Sequence, residues 1–373
     1  MAAHHTHWTV PAIRTTGPST PVVTTNRLPR PSDSDDNHDH SNIQRILRLR
    51  SNTDDRGVRW QATVCDVKGL RDITWWSASD SMSFQSGQLI RTPSYANRGA
   101  NHMPLQKLHG NRSGDGVFEV SSVTHLWEVD PDINLLDTVP QSWLPGLSSD
   151  SRMGRADVGV KWVERFRVLW THLSRPMRAW FNALFWHHPL RLHAFLSAPG
   201  SMKHHHARQH GLFVHSVDCA WRALRQAEGD EWVNVDVLLL SALLHDVGKA
   251  GEYEWNDHSK QWYLSDRGAL MGHRMTGMEW MAAARGSLAV CDTPDEYTAM
   301  AVYHAINASN APDWVGLRAP RTPEAFYLAS VDALSGHCDL VDSHAVTHRI
   351  RGQYHPAFRG GAYVFNGLGR GVQ

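Results

Sequence analysis

The sequence predicts a multidomain α and β protein, a small N-terminal β-barrel followed by an all-α helical bundle. Residues 41–125 contain five short runs of β-forming or alternating residues, namely Ile43–Leu49, Trp60–Val67, Ile73–Trp76, Leu89–Tyr95 and Leu105–His109. Turn signals separate them: Asp54-Asp55-Arg56-Gly57, Lys68-Gly69, Gln85-Ser86-Gly87 and Asn97-Arg98-Gly99. From about residue 157 the apolar spacing changes to three and four, as in VKWVERFRVLWTHL and MRAWFNALFW, which is the helical period. Between the two regimes Pro131, Pro140, Pro145 and the run GLSSDSRMG mark 126–154 as a linker, leaving 155–348 for the helical domain.

Both ends read as tails. Residues 1–40 combine five prolines with the polar run Ser32–His40, which offers little burial to offset the entropy of ordering. Residues 349–373 are glycine-rich and carry Arg349, Arg351, Arg359 and Arg370 with no acid, as a solvated tail or a nucleic-acid contact. The chain of 373 residues is 41% apolar, enough for a sizeable core. Its 37 basic and 37 acidic side chains balance, which excludes a generally basic nucleic-acid coat but leaves room for a local basic groove. No apolar run is long enough to span a membrane and no signal-peptide pattern opens the chain. Four scattered cysteines (Cys65, Cys219, Cys291, Cys338) form no CxxC pair, which fits a reducing cytoplasm rather than a disulfide scaffold or zinc ribbon.

Within the barrel, the strand Arg59–Val67, the tight Lys68-Gly69 turn, the strand Ile73–Trp76 and the segment SFQSGQLI follow the order of an OB-like fold. Such barrels hold single strands by stacking bases on aromatic side chains in a basic groove. Trp75, Trp76 and Tyr95 are therefore candidate substrate platforms, with barrel core as the competing role.

The chemistry centres on Leu243-Leu244-His245-Asp246-Val247-Gly248-Lys249. The preceding run VLLLSALL is apolar all round, so it describes a buried helix ending in an adjacent imidazole and carboxylate. A buried ion is costly unless paired or metal-bound. Partners occur on other helices. His215 lies beside the stripe Val217, Ala220, Trp221 and Leu224, and His273 starts the helix HRMTGMEWMAAA. His304 shares the face of Tyr297, Met300 and Ala301, read as a buried face. Thr322-Pro323 is a helix start, from which Ala325, Leu328 and Ala329 define an inward stripe that carries Asp332. The candidate metal ligands are thus His215, His245, Asp246, His273, His304 and Asp332. Imidazole and carboxylate without thiolate suit Mn²⁺ first, then Fe, Zn or Mg²⁺. Four ligands hold one ion and the extra histidines suggest a second; two ions can share a bridging hydroxide and clamp a scissile phosphate. Lys249, three residues after the HD pair, is placed to reach a phosphate or the leaving group, unless it is a solvated surface lysine.

HHHARQHGLFVHSVDCAWRAL, LLLSALLHDVGKAGEY, GALMGHRMTG and PRTPEAFYLASVDALSG together resemble the HD-domain superfamily of metal-dependent phosphohydrolases. The similarity is greatest to bacterial 3′→5′ exoribonucleases that join an OB domain to an HD domain. The resemblance covers about residues 185–345 and implies that the same six side chains hold the metals. It also implies that His205 and His206, ahead of the first ligand helix, lie near the substrate phosphate. This chain departs from the family pattern at His210, at His304 (where a His doublet is usual), at Ser335 (where a second acid often follows) and in a longer stretch before Thr322. The HHHA…HGLFVHS segment is also similar to the HD module of conjugative relaxases.

The resulting expectation is a cytoplasmic, metal-dependent phosphodiesterase on single-stranded RNA or DNA, a 3′→5′ exonuclease in which His245, Asp246 and Lys249 act catalytically. The rivals are a nucleotide phosphohydrolase and a non-catalytic, relaxase-type single-strand DNA-binding protein. A homo-oligomer is compatible with either.

Overall fold

The computed structural model describes residues 42–78, 83–93, 117–145, 156–308, 317–344 and 351–363. Three strands form the body of the sheet: β1 (Ile43–Asp54), β2 (Gly57–Asp66) and β3 (Gly69–Ser77). Both hairpins turn in two residues, with Asp54 opposite Gly57 and Asp66 opposite Gly69. In each, the preceding aspartate accepts an N–H from inside the turn, Arg56 to Asp54 and Lys68 to Asp66, both at 2.8 Å. Gly57 has φ +123°, and a Cβ there would stand 2.4 Å from the Ser77 carbonyl oxygen, so only glycine fits.

Three shorter strands complete the sheet: β4 (Leu89–Arg91), β5 (Phe118–Glu119) and β6 (Thr124–His125). The order is β5-β3-β2-β1-β4-β6, antiparallel except for the parallel β3–β5 pair. The outermost strands β5 and β6 are only four residues apart in the chain, so one segment bonds to both edges of the sheet. The sheet is accordingly curled into a half-barrel compatible with an OB-like fold. The sequence missed this closing segment because Ser121-Ser122 interrupts it and no alternation marks it. The expected strand Leu105–His109 and Tyr95 lie outside the described residues.

Ile46, Ala62, Val64, Ile73, Trp75, Phe84, Ile90 and Val120 fill the barrel. Trp75 is 2% exposed, stacked on Trp60 at 6.1 Å and edge-on to Phe84 at 5.1 Å. It is core, not a platform. Trp76 points to the other side of the pleat and is half-buried, with the guanidinium carbons of Arg56 and Arg59 over its ring at 4.6 and 5.7 Å.

The helical part comprises α1 (Ala156–His172), α2 (Arg175–Phe185), α3 (Pro189–Ser197), α4 (Gly211–Gln226), α5 (Val235–Leu244) and α6 (Lys249–Glu252). A hairpin of β7 (Tyr253–Asn256) and β8 (Gln261–Leu264) follows, then α7 (Asp266–Leu270), α8 (Gly272–Gly286), α9 (Glu296–Asn307) and α10 (Pro323–His344). Helix α5 is central: every residue from Val237 to Leu244 is buried, as its unbroken apolar run requires. Asn234 caps it by accepting the Val237 N–H at 3.1 Å. Helices α4, α9 and α10 pack around it.

Two stretches are more ordered than expected. In 126–145, read as a linker, Ile133, Leu135, Leu136, Val139 and Leu144 are buried in the helical core. The Asn182 amide donates to the carbonyls of Asp130 and Ile133 at 2.8 and 2.9 Å, pinning this stretch to α2. Its prolines stiffen a packed segment rather than space two bodies apart. In the C-terminal stretch, read as a loose tail, β9 (Arg351–His355) and β10 (Gly360–Tyr363) pair as an antiparallel hairpin against α10. Among the described residues no helix is long and apolar enough to cross a membrane.

Candidate metal centre

Four side chains from three helices meet at the C-terminal end of α5. His215 is fully buried in the middle of α4, held there by the apolar first half of that helix. His245 and Asp246 follow directly on α5, and Asp332 projects from α10. The His215 Nε2 atom lies 3.1 Å from Asp332 Oδ1, 3.3 Å from His245 Nε2 and 3.6 Å from Asp246 Oδ2. His245 Nε2 lies 3.4 Å from Asp246 Oδ2 and 3.9 Å from Asp332 Oδ1. Asp332 sits at the rim, its side chain 46% exposed, and Ala329, expected on its inward stripe, faces solvent.

Both imidazoles are aimed. His245 Nδ1 donates to the Ala242 carbonyl at 2.9 Å, and His215 Nδ1 meets the Ser335 hydroxyl at 3.1 Å. Each ring therefore presents Nε2 to the cluster. Two donors about 2.1 Å from a shared ion stand roughly 3.0–3.4 Å apart. Most of the observed separations fall in or near that range, so the four groups fit a single divalent ion. Cys219, one turn after His215 on the same face of α4, is a neighbour that sequence reasoning left out although the i, i+4 spacing announced it. Its sulfur lies 3.7 and 3.8 Å from the two His215 ring nitrogens and donates toward the Val331 carbonyl. Burial, then the nearby carboxylates, push its thiol well above the usual range, and its sulfur, with one donor atom each of His215, His245 and Asp332, forms a set lying within 4.8 Å of one another, which makes it a further potential ligand.

In the cluster two carboxylates face imidazoles and the Lys249 ammonium. Burial alone would depress His245, but Asp246 and Asp332 outweigh it and raise its pKa to about 9. Burial likewise opposes ionisation of Asp332, yet the His215 hydrogen bond and the His245 charge bring it down to about 2. Asp246 is held well below the usual carboxylate range, against its burial, by Lys249 and His245. A pH dependence follows for chelator-treated protein. His245 titrates above its unfolded value of about 6.5, so its contribution, on the order of 3 kcal/mol at most, is full below that pH and lost as pH rises toward 9. His206 is opposite: burial pushes its pKa down, so its contribution is complete above about pH 6.5 and lost on acidification. Urea midpoints should therefore peak near neutrality, and a midpoint climbing steadily from pH 6.5 to 9 would contradict the assignment.

Lys249 is buried, its Nζ 2.7 Å from Asp246 Oδ2 and 2.6 Å from the Gly200 carbonyl. The expected reach toward a phosphate is not met, because both contacts turn the ammonium inward. Gly248 explains the spacing of the motif: a Cβ there would stand 1.9 Å from the His273 carbonyl oxygen and 2.7 Å from the Gly277 nitrogen. Gly248→Ala should therefore force α6 and α8 apart, costing about 1–3 kcal/mol or more and displacing His273; a thermal melt unchanged within a degree would refute this. His273 bridges Glu252 (Nδ1 to Oε2, 2.9 Å) and Asp246 (Nε2 to Oδ1, 3.6 Å), at the cluster's edge. Glu252 was not foreseen.

His304 is not brought in. The inner face of α9 is Ala299, Val302, Ala305 and Ile306, while Tyr297 and Met300 are exposed. The expected phase of this weakly amphipathic helix was therefore off, and His304 Nε2 accepts the Arg321 N–H at 3.0 Å. His205 lies at the cluster's edge, its ring 5.3 Å from that of His215. His206 is buried, its ring 5.0 Å from that of His215, and its nitrogens face Ser335 and Asp339.

The family model for the HD domain matches residues 212–336, the stretch that holds the four clustered side chains with Cys219, Lys249, Glu252, His273, His304 and Ser335, while His205, His206 and Asp339 lie outside it. This part of the chain is an HD domain. A curated relative, the 3′-5′ exoribonuclease YhaM of Listeria welshimeri serovar 6b, is 25% identical over 160 residues, covering 43% of this chain and 49% of that protein. The chain thus spans about half the length of the curated relative it matches. No solved structure matches. The pair His245-Asp246, inside the matched stretch, belongs to the cluster described above.

Proposed function

We propose that the chain is a divalent-metal-dependent phosphodiesterase that removes nucleotides from the 3′ end of single-stranded nucleic acid. The observation that carries this is the convergence of His215, His245, Asp246 and Asp332 on one point open to solvent at Asp332. His215 Nε2, His245 Nε2, Asp246 Oδ2 and Asp332 Oδ1 would hold one ion, with Mn²⁺ the first candidate for a mixed nitrogen and oxygen set. His304 makes no contact with the cluster among those described, so one ion per chain is the better-supported count. Such an ion, when bound, supplies Lewis-acid activation of water and neutralises charge on a phosphate. The protein's part is to hold both imidazoles by their Nδ1 atoms and to keep Asp246 ionised through Lys249.

The barrel suits a strand-holding role. Its outward face exposes Arg48 and Arg50 and sets Trp76 beneath Arg56 and Arg59, a base-stacking surface with cationic flanks. The similarity to an exoribonuclease favours RNA. The test is direct: purified chain with Mn²⁺ and 5′-labelled single strands of RNA and DNA should yield a ladder shortening from the 3′ end. Intact strands under Mn²⁺, Mg²⁺, Fe²⁺ and Zn²⁺ alike would reject the proposal. Phosphate release from mononucleotides with strands left whole would point instead to a nucleotide phosphohydrolase.

A further inference from the structure

Ser335 and the buried residues behind it are left unused by the proposed chemistry. The Ser335 hydroxyl lies 3.1 Å from His215 Nδ1 on one side and 3.3 Å from His206 Nε2 on the other. On the far side of His206, its Nδ1 faces Asp339 Oδ1 at 3.4 Å. Ser335 and His206 are both buried, and the three partners come from α4, α10 and the loop before α4.

We propose that Asp339, His206 and Ser335 form a directional relay that positions His215 for a metal ion, an inference that rests on the metal-dependent reading above. A hydroxyl has one proton to give, and here it stands between two imidazole nitrogens. If His215 offers Nε2 to an ion, its proton is on Nδ1 and donates to Ser335. The serine proton then goes to His206 Nε2, which leaves the His206 proton on Nδ1, facing the Asp339 carboxylate. Each link accepts only one direction, and the fixed charge at Asp339 selects it before any ion arrives. The Cys219 sulfur also touches the Ser335 hydroxyl, but as an acceptor it is weaker than an imidazole nitrogen.

The loop is built to hold this geometry. His206 adopts φ +52°, a left-handed conformation disfavoured for a residue with a Cβ. It persists because Asp339 Oδ2 accepts its backbone N–H at 2.5 Å, Gly200 donates to its carbonyl at 2.9 Å, and Arg208 pairs with Asp339 at 2.6 Å. Gly211 must lack a side chain, since a Cβ would stand 1.9 Å from the His206 carbonyl oxygen. Ser335, Asp339 and His206 are positioning residues; none touches the ion or the phosphate.

The experiment is ¹⁵N-histidine NMR on the full chain, metal-free and Zn²⁺-loaded, with Zn²⁺ affinity measured by chelator competition. His206 should carry its proton on Nδ1 in both states; a proton on Nε2 would overturn the relay. Ser335→Ala should weaken Zn²⁺ binding about 10- to 100-fold, and Ser335→Thr, which keeps the hydroxyl, should recover most of it. Asp339→Asn should let the His206 proton move to Nε2. Unaltered Zn²⁺ affinity in Ser335→Ala would also sink the relay. If wild-type chain takes up no Zn²⁺, the metal-dependent function fails, while the His206 tautomer still judges the relay.

Discussion

Asp332→Asn is expected to lower hydrolysis about a thousandfold, the several kcal/mol that one lost metal-ligand charge represents, while leaving the metal-free fold intact. Of the four clustered side chains, Asp332 has the fewest structural duties. Its contacts are to His215 and His245, and its side chain is 46% exposed at the mouth of the cluster. Asparagine keeps the shape and removes the charge that a cation needs. Divalent-ion affinity should fall with activity, measured as metal per chain after dialysis, and the melting temperature in chelator should fall less than in Asp246→Asn. Full activity in Asp332→Asn would remove α10 from the centre and leave no four-ligand site. Asp246→Asn is the instructive contrast, since it also strands the buried Lys249 ammonium and should cost stability as well as metal.

Lys249→Met is expected to destabilise the metal-free chain by about 3–5 kcal/mol, the cost of leaving a buried charge without its partner. The ammonium holds both Asp246 and the Gly200 carbonyl, so its loss strips a cation from the cluster and an anchor from the loop preceding α4. A divalent ion can replace the missing positive charge at Asp246. The gain in melting temperature on adding Mn²⁺ should therefore be larger for Lys249→Met than for the wild type. The opposite outcome, lost turnover with unchanged melting and metal affinity, would return Lys249 to a role at the substrate.

Much of this was legible because burial and charge conflict openly in the sequence. An apolar run ending in His245-Asp246 needs partners, and His215 and Asp332 were recoverable from helical phase. The method failed where amphipathicity is weak. In α9 the stripe could be drawn through Tyr297 and His304 or through Ala299 and Val302, and packing chose the second. It failed again where polar residues are consumed internally: the Lys249 ammonium is held by Asp246 and the distant Gly200 carbonyl, and the His206 ring faces Ser335 and Asp339 more than 120 residues on. Trp75 and Trp76, adjacent letters, went to opposite faces because a strand alternates. Glu252 carried no signal, since its value depends on where α8 places His273.

The stretch that closes the curled sheet runs straight on into residues 126–145, and those residues plug the helical core, which Ile43 and Leu89 of the sheet also enter. Arg45, a buried residue of the first strand, donates to the Thr138 hydroxyl and the Gly87 carbonyl at the same seam. Neither half can be finished without the other, so cooperativity belongs to the pair. A calorimeter should register one heat-absorption peak, and excising either half should leave a sticky, incompletely folded remnant rather than an autonomous module.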